Sequence, residues 1–154
     1  MKANRKKILL FLVVAGGALM SYFLWLTSCP VEIVAVHENG NHSYVLVKKL
    51  PFTDKGKINW WLGNKDMLKD RYKIPKPDTD GFFTVVFWDF SNGYKEKGKY
   101  DRLCFDDMKL PINCIEKNKI FSVSNSRNMG ISFVTHDEIY RMRKSGEIVK
   151  DKSD

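Results

Sequence analysis

Residues 8–26, from Ile8 through Gly16 and Gly17 to Leu26, form an unbroken run of 19 positions with no charged side chain. At about 1.5 Å rise per residue, a helix over this run reaches roughly 28 Å, close to the ~30 Å hydrocarbon thickness of a bilayer. A helix lying on a soluble core would be interrupted by polar residues at every turn, and a single segment in lipid can satisfy its backbone groups only as a helix. The run therefore reads as a membrane-spanning helix.

Charge gives that helix a direction. Lys2, Arg5, Lys6 and Lys7 precede it, whereas residues 27–36 contain no Lys or Arg, so the N-terminus is expected in the cytoplasm and the remainder outside, in the periplasm of a Gram-negative cell. Three parts follow: a cytoplasmic basic segment (1–7), an inner-membrane anchor (8–28) and a periplasmic domain (30–154). Tyr22 and Trp25 suit the interfacial aromatic belt. The chain of 154 residues has room for one ordinary domain. Its formal charge of +8 comes from 26 basic and 18 acidic residues, and four of the basic ones lie in the first seven positions. What remains is nearly balanced, and export removes nucleic acid as a partner.

A second reading of the leader stays open. Leu26-Thr27-Ser28-Cys29 resembles the bacterial lipobox, in which the cysteine is lipidated and becomes the new N-terminus. Against it stand Pro30 directly after the cysteine and an apolar run longer than the roughly 7–15 residues of a signal peptide. Cys29 is the candidate lipidation site, and a retained anchor is the first expectation.

Cys104 and Cys114 are the only other cysteines. An even pair in an oxidising compartment reads as a disulfide, which at this loop length contributes on the order of 2–3 kcal/mol. Two separate buried thiols remain the alternative. A zinc site lacks paired ligand spacing and a nearby histidine, and neither metal nor cofactor is expected.

Along the exported part, residues 31–36 and 44–48 read as a β-hairpin around Asn39-Gly40. Ile58, Trp61, Leu62, Met67 or Leu68, and Tyr72 recur at helical spacing, with Thr53 as N-cap and Ile74-Pro75-Lys76-Pro77 as the stop. That predicts an amphipathic helix of about four turns, with Gly63-Asn64 as a weak point. Residues 82–90 predict a central strand, and 95–99 a loop or edge. Short strands are expected at 100–105, 113–116, 120–124 and 131–135, followed by a closing hairpin of 139–143 with 147–150 around Ser145-Gly146. Six to eight strands and one helix make an α+β domain, an antiparallel sheet with the helix over one face.

Catalytic chemistry finds little support. His37 and His42 read as surface residues of the first hairpin, and no Gly-x-Ser-x-Gly elbow is present. An enzyme is not expected; the alternative is a small periplasmic enzyme using Asp89, or Asp106-Asp107, with His136. Aromatic anchors dominate many interfaces, so Trp60 is a candidate partner contact, with Trp61 in the core. Lys95, Lys97 and Lys99 are further candidate contacts, though such a run also serves as a solvated edge.

Five segments carry a resemblance: Pro30-Val31-Glu32-Ile33-Val34-Ala35-Val36-His37, Pro51-Phe52-Thr53-Asp54-Lys55-Gly56-Lys57-Ile58-Asn59-Trp60-Trp61-Leu62, Phe87-Trp88-Asp89-Phe90, Lys99-Tyr100-Asp101-Arg102-Leu103-Cys104-Phe105-Asp106-Asp107 and Asn113-Cys114-Ile115-Glu116-Lys117-Asn118-Lys119. Together they resemble an enterobacterial family of small single-anchor membrane proteins, domain of unknown function 943, over nearly the whole chain. The resemblance implies one N-terminal membrane segment and an exported domain, and carries over no catalytic residue. The expectation is an inner-membrane protein whose disulfide-stapled domain binds a protein partner in the periplasm, in an immunity or accessory role. An envelope lipoprotein held through Cys29 is the alternative, beside the small enzyme.

Overall fold

The computed structural model describes residues 2–28 and 30–152. They fall into two compact units, Met1–Pro30 and Val31–Asp154. The first is a single helix, α1 (Lys2–Ser28). It contains Asn4–Trp25, whose most apolar 18-residue window has a mean hydropathy of 2.2, long and apolar enough to cross a membrane. Leu10, Phe11 and Met20 are all exposed on α1, a surface suited to lipid rather than water.

The second unit holds β1 (Glu32–Asn39), β2 (His42–Lys48), α2 (Asp54–Tyr72), β3 (Phe83–Asp89), β4 (Lys95–Glu96), β5 (Arg102–Cys104), β6 (Ile112–Glu116), β7 (Lys119–Ser126), β8 (Gly130–Val134), β9 (Ile139–Met142) and β10 (Ile148–Lys150). The α+β class is as expected, with more strands than the six to eight anticipated. Seven form one sheet in the order β1-β2-β3-β7-β8-β9-β10, and β4-β6-β5 form a second of three strands.

One pairing departs from the antiparallel expectation. β2 and β3 run parallel, from His42↔Thr84 to Val47↔Asp89. Parallel neighbours need a long crossover, and α2 supplies it by carrying the chain back along the sheet before β3 begins. The sequence shows both strands and the helix, but strand direction is decided only when the helix docks.

That docking builds the main core. Ile58, Trp61 and Leu68 of α2 pack with Val45, Val47, Val85, Phe87, Phe121, Val123 and Phe133 of the sheet. On the opposite face Leu46 packs with Phe90, Phe105 and Ile115, which bring in the three-stranded sheet. β2 is thus buried on both faces, which is why Val45-Leu46-Val47 reads as a continuous apolar run instead of an alternation.

Local chemistry sets the boundaries of α2. Thr53 Oγ1 accepts the Gly56 N–H at 3.0 Å, capping one of the four amides a helix start leaves unpaired. Lys73, at φ 59° in the left-handed region, closes the other end before Ile74-Pro75. The helix runs unbroken through Gly63-Asn64 for 19 residues, a turn longer than anticipated. Asn64 Nδ2 bonds the Trp60 carbonyl at 2.8 Å, so it serves the helix. In the β1–β2 turn Gly40 takes φ 61° at the first of two loop positions, the conformation a tight hairpin demands.

These directions sort the loops. One end of the seven-stranded sheet gathers the start of β1, the ends of β2 and β3, the loop 49–53 leading into α2, and the β8–β9 turn. Tyr140 O–H donates to Asp54 Oδ2 at 3.0 Å there, joining β9 to the start of α2. The opposite end carries the β1–β2, β7–β8 and β9–β10 turns.

Candidate functional site

The three-stranded sheet brings the sequence's most unusual side chains together. Cys104 and Cys114 face each other in the β5–β6 register, and their Sγ atoms are bonded at 2.08 Å. The bridge closes a loop whose base is tied twice more: Phe105 N–H donates to the Asn113 carbonyl at 2.9 Å, and Asn113 Nδ2 donates back to the Phe105 carbonyl at 3.1 Å.

From this loop Asp107 reaches β1. His37 Nδ1 lies 2.8 Å from both Asp107 carboxylate oxygens, and Nε2 lies 2.9 Å from the Tyr94 hydroxyl. The imidazole stacks on Phe105 with centroids 3.9 Å apart. A neutral ring with its proton on Nδ1 satisfies both contacts, donating to the carboxylate and accepting the phenol proton. Burial, and then the nearby Asp107 charge, hold the Tyr94 hydroxyl proton more tightly than usual. That is the opposite of what a nucleophile or base at this end of the chain requires. The trio acts as a latch between β1, the segment after β3 and the cystine loop.

His37 is therefore no surface residue: it is buried at 7% exposure. Tyr44, not His42, stands opposite it in the hairpin, and the two histidines do not meet. His42 bonds Asn41 instead. Among the described residues, no group of three or more His, Cys, Asp or Glu is arranged to hold a metal.

Beside the cystine lies a cleft of about 440 Å³, lined by Glu96, Lys97, Gly98, Asp106, Leu110 and Pro111 together with Cys104. Leu110 is 80% exposed and Ile112 53%. Among the described residues Lys97 and Lys99 make no ion pair, so the cations beside the cleft are available. Lys95 is committed: its Nζ lies 2.6 Å from Glu116 Oε1. Hydrogen bonds from Lys95 and Asn92 hold the Glu116 carboxyl below its usual range.

The remaining candidates are dispersed. Trp60 packs edge-on against Phe87 at 5.7 Å, as Trp61 does at 6.2 Å. Helix neighbours lie only about 100° apart, so a broad apolar face takes both rings, and Trp60 is half-buried. Asp89 accepts from Ser91 and Asn118, Asp107 holds His37, and His136 is 3.8 Å from its neighbour Asp137 at the surface. These contacts draw the three into different local networks rather than one constellation. Cys29 lies outside the described residues.

Sequence reading missed Leu110, Ile112 and the His37–Asp107–Tyr94 latch. An apolar residue before proline in a charged, disulfide-closed loop was a usable sign of the first two. The latch joins positions far apart in sequence and leaves no local pattern.

A family model described as "Enterobacterial putative membrane protein (DUF943)" matches residues 2–152. No curated protein and no solved structure matches the chain.

Proposed function

Because the chain belongs to the enterobacterial family DUF943, we propose that it is a single-pass inner-membrane protein whose periplasmic domain binds another protein at the cleft beside the cystine. The apolar run from residue 8 onward within Asn4–Trp25 is the anchor. Lys2, Arg5, Lys6 and Lys7 hold its start in the cytoplasm, and the Cys104–Cys114 bridge suits an oxidising compartment.

Leu110 carries the binding reading. A leucine that is 80% exposed on a loop pinned by a disulfide and by the His37–Asp107 contact is a pre-organised apolar contact, with little entropy left to lose on association. Ile112, two positions on, is also exposed, and Lys97 lines the cleft together with Glu96 and Asp106. The partner that fits is a protein segment offering an apolar side chain flanked by charges of both signs, to meet Lys97, Glu96 and Asp106. The domain acts by binding and not by catalysis. Neutralising a secreted toxin, or serving as an accessory to an envelope complex, are roles of this build.

A photo-crosslinking residue placed at Leu110 in intact cells tests the reading, with Arg127, on the β7–β8 turn, as the control. A discrete protein adduct at 110 and none at 127 is expected; no adduct, or equal adducts at both, overturns it. A reporter active only in the cytosol, fused after Asp154, is expected to stay dark.

A further inference from the structure

Phe52 is 97% exposed, in the loop between β2 and α2. A lone exposed apolar side chain is ordinary; its neighbourhood is not. At the same end of the sheet lie Ile139, 41% exposed, and the exposed lysines Lys49, Lys55 and Lys119. Among the described residues, these three lysines form no ion pair. Glu32 and Asp137 are the exposed carboxylates of that end; Glu138 and Asp151 are paired with Lys150 and Arg141, Asp54 with Lys57 and Tyr140, and Asp89 accepts from Ser91 and Asn118. Lys49 holds φ 61°, a left-handed conformation that a lysine adopts at a cost.

This is also the end at which the chain arrives. Glu32 opens β1 and stands opposite Lys48, immediately before that loop. The seven peptide steps from Trp25 to Glu32 reach at most about 25 Å when fully extended, so a spanning helix keeps this end of the sheet within reach of the headgroup layer. An exposed aromatic ring at the same end as unpaired lysines is what an anionic interface selects, the ring at headgroup depth and the ammonium groups on phosphates.

We infer that the 49–55 segment docks on anionic phospholipid headgroups, with Phe52 inserted at the interface and Lys49, Lys55 and Lys119 on the phosphates. The inference rests on the reading that Asn4–Trp25 spans the membrane. It adds a lipid-binding face at one end of the sheet, apart from the Leu110 cleft.

Hydrogen exchange on the full chain in lipid nanodiscs tests it. In discs of phosphatidylcholine with phosphatidylglycerol, the amides of residues 49–53 are expected to exchange about fivefold more slowly than in phosphatidylcholine alone, the shift expected from one lysine–headgroup contact. The β9–β10 turn at the opposite end should be unchanged. Phe52→Ser with Lys49→Glu and Lys55→Glu should erase the difference, and Lys119→Glu alone should reduce it. Equal exchange in the two lipids overturns the docking while leaving the anchor intact. Protection that follows protein concentration and not lipid charge assigns the loop to a second copy, and overturns it too. A chain that fails to incorporate into discs overturns the anchor reading and the docking with it.

Discussion

His37 Nδ1 sits 2.8 Å from the carboxylate of Asp107, 70 positions further along the chain, and this contact pins the cystine loop to the first strand. His37→Ala removes a buried ring stacked on Phe105 and takes the imidazole partner from both Tyr94 and Asp107. A loss of about 2–3 kcal/mol is expected in urea unfolding of the detergent-solubilised chain. Asp107→Asn keeps the shape and gives up the charge, and about 1 kcal/mol is expected, since the Asp107 side chain is 52% exposed.

Reduction of Cys104–Cys114 should loosen one loop rather than the whole domain. The bridge spans a separation of 10, and losing it costs about 2–3 kcal/mol of loop-closure stabilisation. Amides of residues 105–113 are expected to exchange faster under dithiothreitol while β7 and β8 stay protected. Unchanged exchange in that loop would show that Asp107 and Asn113 hold it unaided.

Phe87 and Phe52 make a paired test of position. Phe87 is fully buried among Trp60, Trp61 and Phe121, so Phe87→Ala is expected to cost about 3–5 kcal/mol. Phe52→Ala, in the same assay without lipid, should fall within about 0.5 kcal/mol of the parent.

Two groups set opposite limits in pH. Hydrogen bonds from Lys95 and Asn92 hold the Glu116 carboxyl below its ordinary value of 4.5. Its contribution is therefore present above that value and lost as the pH falls through the lowered one. Carboxyl NMR should see Glu116 move back up in Lys95→Ala. Tyr94 is shifted upward, by burial first and by Asp107 second, so its contribution is present below about 10 and lost as the pH climbs through the raised value. In an ultraviolet titration Tyr94→Phe should remove one late phenol. Tyr140, raised by burial and its bond to Asp54, should remain as another.

Local signals carried much of the fold. Thr53 and Ile74-Pro75 bracketed α2, Asn39-Gly40 marked the first turn, and Val85, Val86 and Phe87 marked a central strand, because caps, turns and apolar runs are written within a few residues of where they act. The parallel β2–β3 pair was not legible, since strand direction depends on where α2 docks. His37 was misread because its burial is conferred by Phe105 and Asp107, on a loop that a single strand's pattern cannot report. The packing of Trp60 on Phe87 was not legible for a simpler reason: a helix face wide enough for one tryptophan was wide enough for two.

The order of the seven-stranded sheet follows the order of the chain, apart from the detour through β4, β5 and β6 between β3 and β7. A polypeptide delivered from its N-terminal side can lay each new strand against the one already in place, never needing to reopen a finished pair to insert a later arrival. That order is interrupted by α2 before β3, and again after Asp89, where β4, β5 and β6 come before Lys119 can lie alongside Trp88. Both cysteines lie within the second interruption, so the bridge they form draws on no strand of the far half of the sheet.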